Sequence, residues 1–430
     1  MLKSCIIYII VPKEDLTMDK IKIAVVGGGA AGMFCAIHCA EAGAEVTLFE
    51  RNEKLGRKLG ITGKGRCNLT NNCESTQIFM QNVPRNPRFL YTALSKLSPQ
   101  DLMNWFEWRG LELKTERGNR VFPVSDRAAD VVGLLWRLVE EAGCKIKHAR
   151  VEEILTHHNK IKGLRADGKT YSFDKVILCT GGMSYPGTGS TGDGYRMAQK
   201  LGHTVITPMP SLAPLCSPDR CCKEMQGLAL KNVELSLVKK DSGKTVFSEN
   251  GEMLFTHFGL SGPLVLSASA HIDENPADYE IKIDLKPALD IPTLDRRLVS
   301  DFAKYKNKAF RNCLSDLLPS GMIPVMVSLS GIDPDKQANA ITKAEREKLL
   351  SLFKAFPIAL SAFRPINEAI VTRGGVATAE VNPKTMQSKL IEGLFFAGEV
   401  LDLDAYTGGF NLHIAFSTAV VAAEAASADY

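Results

Sequence analysis

The chain has 430 residues, a formal charge of +4, 45% hydrophobic residues and 23% charged residues. Those fractions are globular averages, which excludes wholesale disorder, collagen and coiled coil, and the length suits two or three domains at roughly 100–200 residues each. The near-balanced charge gives no electrostatic case for nucleic acid or an anionic membrane as main partner, and no run approaches the ~18–20 apolar residues of a membrane span.

Residues 1–17 stand apart. Residues 4–11 are apolar after Lys3, but the run is short and no small-residue cleavage site follows. Met18 stands just before the first strand-like run. Residues 1–17 are therefore expected to be an N-terminal extension that the fold does not need. Eleven cysteines are scattered along the chain, without a CxxC pair; Cys221 and Cys222 are adjacent. This pattern predicts reduced thiols in a cytoplasmic protein, with neither a disulfide framework nor a metal site.

Residues 21–26 are a short β-branched run. Gly27-Gly28-Gly29-Ala30-Ala31-Gly32 follows and matches G-x-G-x-x-G. Residues 33–42 then read as a helix and residues 45–49 as a second strand, ending in Glu50 beside Arg51. This is a complete βαβ dinucleotide-binding unit. Gly27 permits the turn, Gly29 the approach of a pyrophosphate, and Gly32 close packing of helix on strand. Ala30 and Ala31 open a helix whose free N–H groups and partial positive charge suit phosphate. Glu50 is placed for an adenosine ribose, and an acid there favours FAD or NAD over NADP.

Residues 56–71 decide between FAD and NAD. They form a glycine-rich, basic loop where a plain NAD domain would continue with a helix and strand. Arg57, Lys58, Lys64 and Arg66 bring positive charge to a pyrophosphate or an anionic substrate. Gly63 and Gly65 permit approach to a flat ring; Thr62, Cys67 and Asn68 complete the expected contacts. Further on, Val151 lies in a strand-like run, residues 148–157, where a valine would flank adenine. Residues 175–180 are a buried-type strand that ends in Thr180-Gly181-Gly182. Near the C-terminus, residues 394–397 form a strand leading into Gly398-Glu399, with Asp402 just beyond. Gly409, Asn411 and Leu412 open an apolar helix whose start would face the flavin N1–O2 edge. Nineteen of the 35 glycines fall in the windows 27–32, 56–65, 181–194, 374–375 and 398–409, so the glycines concentrate where a cofactor is expected.

Taken together, the motifs at 27–32, 56–71, 179–203, 256–263, 371–389 and 394–419 closely resemble the YhiN/BaiN-like flavoproteins, the aminoacetone-oxidase-like FAD family. The resemblance spans residues 21–426. It implies an α/β fold: a glutathione-reductase-type, Rossmann-like FAD domain of residues 18–203 and 371–430. An inserted domain, residues 204–370, would interrupt it with a β-barrel-like part and a small helical part. Residues 228–238 and 280–285 alternate like strands, and residues 294–318 and 342–356 read as helices. The resemblance also implies one of two activities: flavin oxidase action on a small amino ketone, or NAD(P)H-dependent reduction of conjugated enones.

The catalytic candidates are His257, as a proton donor facing the flavin, and the polar residues Tyr185 and Arg373; Tyr406 is a further pocket-lining candidate. A hydrogen-bonded interface histidine is the plain alternative for His257, and His413 reads as structural or flavin-adjacent. Cys67 and Cys73 form a redox pair only if they meet in space. A second G-x-G-x-x-G, residues 187–192, does not directly follow a strand and reads as a loop beside the flavin. The expected function is an FAD-dependent oxidoreductase acting on a small organic substrate, with hydride passing through flavin N5. NADH or NADPH is a candidate electron donor, enone reduction the alternative reaction, and a homodimer a candidate assembly. An FAD-dependent RNA-modifying protein is a different class, which the net charge and lack of a basic tail argue against, as is a flavin-binding protein without turnover.

Overall fold

The computed structural model describes residues 20–428; the expected extension, residues 1–17, lies outside the described residues. The architecture is mixed α/β. Five parallel strands form the sheet beneath the site, in the order Leu394–Phe396, Lys175–Leu178, Lys22–Val26, Glu45–Glu50, Lys145–His148. Lys22–Val26 lies in the middle, so Ile23, Ala24 and Val25 are covered on both faces, as a central parallel strand requires. Helix Ala30–Glu41 packs against helix Phe410–Ser427. The latter is buried nearly all round, which explains its lack of a polar face. Phe34 and Phe416 meet between the two helices at a ring separation of 4.9 Å.

The glycines of the first motif have separate jobs. Gly27 has φ +105, and a Cβ there would stand 2.5 Å from the carbonyl oxygen of Cys179. A Cβ on Gly32 would stand 1.7 Å from the carbonyl oxygen of Gly27. The turn and the helix therefore close on each other only because neither residue has a side chain.

A three-stranded antiparallel meander, Val151–His157, Lys160–Ala166 and Lys169–Ser172, flanks this sheet. Strands Val205–Ser211 and Val371–Val376 pair antiparallel, with a bulge between Ile206 and Met209. Through this ribbon the chain leaves the parallel-sheet region and returns to it. Between the two passes lies a seven-stranded antiparallel sheet. Its edge strands, Phe356–Ala359 and Ala362–Phe363, are consecutive in the chain. Only two residues join them, so the sheet curls back on itself like a barrel. Helices Ile291–Lys304, Ile323–Ser330 and Lys343–Lys354 pack together beside it. The apolar side chains of this part form a cluster of their own, including Leu235, Phe255, Ile281, Phe353 and Phe356.

Two sequence expectations change. The helix expected over 294–318 ends at Lys304. Beyond it the chain turns, and the N–H of Phe310 donates to the carbonyl of Lys336, a tertiary partner that local periodicity does not register. The basic loop is partly helical, Arg57–Gly65, but Thr62 is extended there and Gly63 and Lys64 are left-handed. Replacing Gly32 by Ala is expected to destabilise the fold by about 3 kcal/mol, because the displaced neighbours are backbone atoms. Urea unfolding of the flavin-free protein measures this; an unchanged midpoint would contradict the close packing.

Candidate active site

The parallel sheet, the ribbon and the last helix enclose a cavity of about 1230 Å³, above the ~300–1,000 Å³ of ordinary small-ligand pockets. Gly27, Gly28, Gly29, Ala30 and Ala31 form part of its wall. The helix that begins at Ala30 has no side-chain cap and no acid in its first turn, so its leading N–H groups and positive dipole end remain for an anion. Space in front of Gly29 is open for 4 Å where a Cβ would point. Nearby, the Glu50 carboxylate accepts from the N–H of Gly28 (2.8 Å) and from the N–H and side-chain amide of Asn52 (2.8 and 2.6 Å). It is buried at the end of its strand and lines the cavity.

Two polar atoms on the wall are buried without a hydrogen-bond partner, Asn68 Oδ1 and Thr180 Oγ1. Buried polar atoms are nearly always paired; Thr180 Oγ1 is instead packed against Gly194, where a Cβ would stand 2.0 Å away. An open glycine cradle, an uncapped helix and a buried acid together fit a dinucleotide such as FAD.

The basic segment divides its charges. Lys58 donates to the Glu399 carboxylate (2.6 Å) and to Ser184 Oγ (2.7 Å). Arg66 is held by Glu116 and Asp126 and stacks on Phe122, 4.1 Å from the ring centre. The hydrogen bonds that it donates to those two carboxylates raise its already high pKa. Arg57 and Lys64 remain exposed on the wall with Arg120. Arg51 meets Asp193, which also receives Arg150 and Arg196. Thr191 of the second glycine motif donates to that carboxylate (3.2 Å), and a Cβ on Gly189 would strike the Asn52 amide at 2.6 Å.

Most expected cofactor residues line the cavity: with those above, Arg57, Thr62, Gly63, Val151, Gly181, Gly409, Asn411 and Leu412 do so. Others do not. Gly32 packs against Gly27, Gly182 against Thr372, and Gly398 against Ala31. Gly65 is exposed and outside the wall. Cys67 is fully buried in the main core, and burial pushes its thiol up to about 12. It is a packing residue, and all ten described cysteines are free. Asp402 turns to Asn86, 3.0 Å away, and burial raises its pKa.

Of the catalytic candidates only Tyr185 reaches the wall, with an unusual φ of +52. His257 is exposed on the turn between strands Thr245–Thr256 and Gly259–Ser261, away from the cavity. Arg373 is buried and donates to the carbonyls of Ile272 and Asp273, so it is an anchor between segments. Burial, then Arg85, lowers its pKa. His413 is structural: Nδ1 faces the Thr70 hydroxyl (3.0 Å) and Nε2 the Leu97 carbonyl (2.9 Å).

Sequence reasoning passed over Asn71, Arg120, Leu212, Pro263, Leu266 and Ile370, all on the wall. Asn71 and Pro263 close the motifs at 56–71 and 256–263 without standing out in them, and no local motif marks the other four, which only the fold brings together. The Asn411 side-chain amide brackets Ala405, accepting from its N–H (2.9 Å) and donating to its carbonyl (2.7 Å). It thereby fixes the loop that carries Tyr406.

The family model of the HI0933-like protein Rossmann domain matches residues 21–425. The chain belongs to this family. It is an FAD-dependent oxidoreductase. The 3-dehydro-bile acid delta(4,6)-reductase of Clostridium scindens is 30% identical over 94% of this chain and 99% of its own. The ribosomal RNA dihydrouridine synthase of Escherichia coli is 30% identical over 95% and 98%. Among solved structures, the 3-ketosteroid-delta4-(5alpha)-dehydrogenase of Rhodococcus jostii RHA1 aligns with a TM-score of 0.49. It is 16% identical over 97% of this chain and 99% of that one. No described helix is long and apolar enough to cross a membrane.

Two tests follow from this geometry. Gly29→Val introduces a side chain into open space at an ordinary backbone conformation, so the protein should fold with an unchanged melting temperature when flavin-free. FAD affinity should fall by at least about 100-fold, read by flavin absorbance after gel filtration; retained FAD would move the phosphate elsewhere. The second concerns pH. Burial holds His413 down at about 4, whereas the unfolded chain takes up this proton near 6.5. Its contribution is therefore full above pH 6.5 and is lost as pH falls toward 4, by roughly 3 kcal/mol in all. Urea unfolding across this range should show a slope that His413→Gln flattens.

Proposed function

We propose that the chain is a flavin-dependent reductase of carbon–carbon double bonds conjugated to a carbonyl, with NADH or NADPH as electron donor. The observation that carries this is the composition of one part of the cavity wall. There Leu212, Pro263, Leu266, Ile370 and Val371 form an apolar face, and Tyr406 sets a phenol beside it. Such a face suits a flat, apolar ring system with one polar function. The names of two near-full-length relatives agree in chemistry: a bile-acid dienone and a uridine base each carry a C=C bond conjugated to a carbonyl.

Bound FAD, once reduced, supplies hydride at N5. The chain's residues do the rest. The two uncapped helix starts, at Ala30 and Phe410, direct N–H groups into the cavity and favour negative charge there. Asn411 sets the Tyr406 loop, and the apolar face excludes water from the reacting bond.

A second reading keeps the reaction and changes the substrate to a uridine base in RNA. It rests on the exposed cations Arg57, Lys64 and Arg120 at the cavity, which suit backbone phosphates. Net charge is silent about such a local cluster.

The test uses FAD-loaded protein under argon. NADH or NADPH is expected to bleach the flavin band, and a 3-oxo-4-ene steroid is expected to restore it at least about tenfold faster than air. Restoration by air alone would overturn the proposal in favour of an oxidase. Dihydrouridine in a structured RNA, found by mass spectrometry with no steroid turnover, would select the second substrate.

A further inference from the structure

We propose that Tyr406 is the proton donor of this reduction and that His271, from the segment between the two ribbon strands, is its positioning partner. This rests on the enone-reductase function above. Tyr406 is half-buried on the cavity wall, and its phenol oxygen is hydrogen-bonded to His271 Nε2. His271 does not line the cavity; Tyr406 stands between it and the open space. The two residues lie far apart in the chain and meet only where the parts dock.

Both are held from several sides. The Tyr406 N–H donates to the carbonyl of Asn82 (2.9 Å), and the Asn411 amide bonds the carbonyls on either side of that peptide. His271 follows helix Pro263–Ser269 and its N–H donates to the Ala268 carbonyl (3.0 Å). The Phe247 ring packs against both, 5.2 Å from the imidazole and 6.5 Å from the phenol. A side chain needed only for packing would be served by phenylalanine. Here the hydroxyl belongs to a residue of the cavity wall and is bonded to a second proton-carrying group. Burial pushes the phenol up to about 12, with Glu249 and Asp404 adding to it. Burial, then Arg85, lowers the imidazole. The resting pair is therefore neutral on both sides, as a donor of protons to carbon requires.

The substrate β-carbon accepts hydride from the reduced flavin, and the C=C electron pair moves to give an enolate. The Tyr406 O–H bond breaks, its proton forms a C–H bond at the α-carbon, and the enolate pair is consumed. The tyrosinate recovers a proton from solvent through His271, whose Nε2 gives one as Nδ1 takes one.

The test compares wild type, Tyr406→Phe, His271→Leu and His271→Gln, each loaded with FAD and reduced under argon. With a 3-oxo-4-ene steroid, Tyr406→Phe should slow flavin reoxidation by about 100-fold or more. Ferricyanide needs no proton at carbon, so with it the rate should fall far less. In deuterated water the wild type should place deuterium on one face of the α-carbon, and Tyr406→Phe should lose that selectivity. His271→Leu should slow the same step, and His271→Gln, which keeps a donor, should recover part of it. In the flavin-free protein, nitrogen NMR should show the His271 Nε2 resonance move on Tyr406→Phe. Unchanged rate and facial selectivity in Tyr406→Phe would overturn the assignment while the wild type still reduced the steroid. A wild type inert toward both steroid and uridine-bearing RNA would overturn the enone-reductase function and the assignment with it.

Discussion

The carboxylate of Glu399 ties together four segments far apart in the chain. It accepts from Lys58 Nζ, from the hydroxyl of Ser184 and from the N–H of Thr372. The Thr372 hydroxyl oxygen in turn accepts from the N–H groups of Met183 and Ser184. A part-buried carboxylate is costly unless its lone pairs are met, and here they are met only when the basic segment, the loop after strand Lys175–Leu178, the return strand of the ribbon and the last strand are all in place. The cofactor wall and the passage to the barrel-like part are thus one polar unit, in which a shift of any member unpairs the others.

The same network shows what could be read from the sequence. The βαβ unit is local: strand, glycine turn, helix and terminal acid lie within 30 residues, and each signal has a short-range cause. Glu50 is accordingly legible as a wall residue, and Asn68 and Thr180 are legible from the glycine-rich loop and the strand end that carry them. His257 and Arg373 looked chemical because they sit in distinctive motifs, but docking turned one outward and buried the other against backbone carbonyls. The Tyr406–His271 pairing depends on helix Pro263–Ser269 reaching the loop before the last helix. No periodicity in either segment encodes that contact, so only Tyr406's membership of a motif hinted at it.

Charge was legible in number and not in destination. Four cations in residues 56–71 suggested a phosphate site. Folding commits Lys58 to Glu399 and Arg66 to Glu116 and Asp126. Arg57 and Lys64 stay exposed, joined by Arg120 from a strand that no local pattern places there. The electrostatic character of the mouth follows from which acids fold next to which bases, a quantity that net charge averages away.

The position of the last strand has a consequence for synthesis. Leu394–Phe396 pairs with Lys175–Leu178, and the helix that follows supplies the far wall of the cavity. A ribosome-bound chain can assemble the first βαβ unit early, yet it lacks these closing pieces until the barrel-like part has emerged and the return strand has paired. Such long-range pairing forms late because loop closure must precede the contacts that reward it. Cofactor capture thereby waits on the closing strand and helix, and the flavin acts as a seal on assembled walls rather than a template for the first βαβ unit.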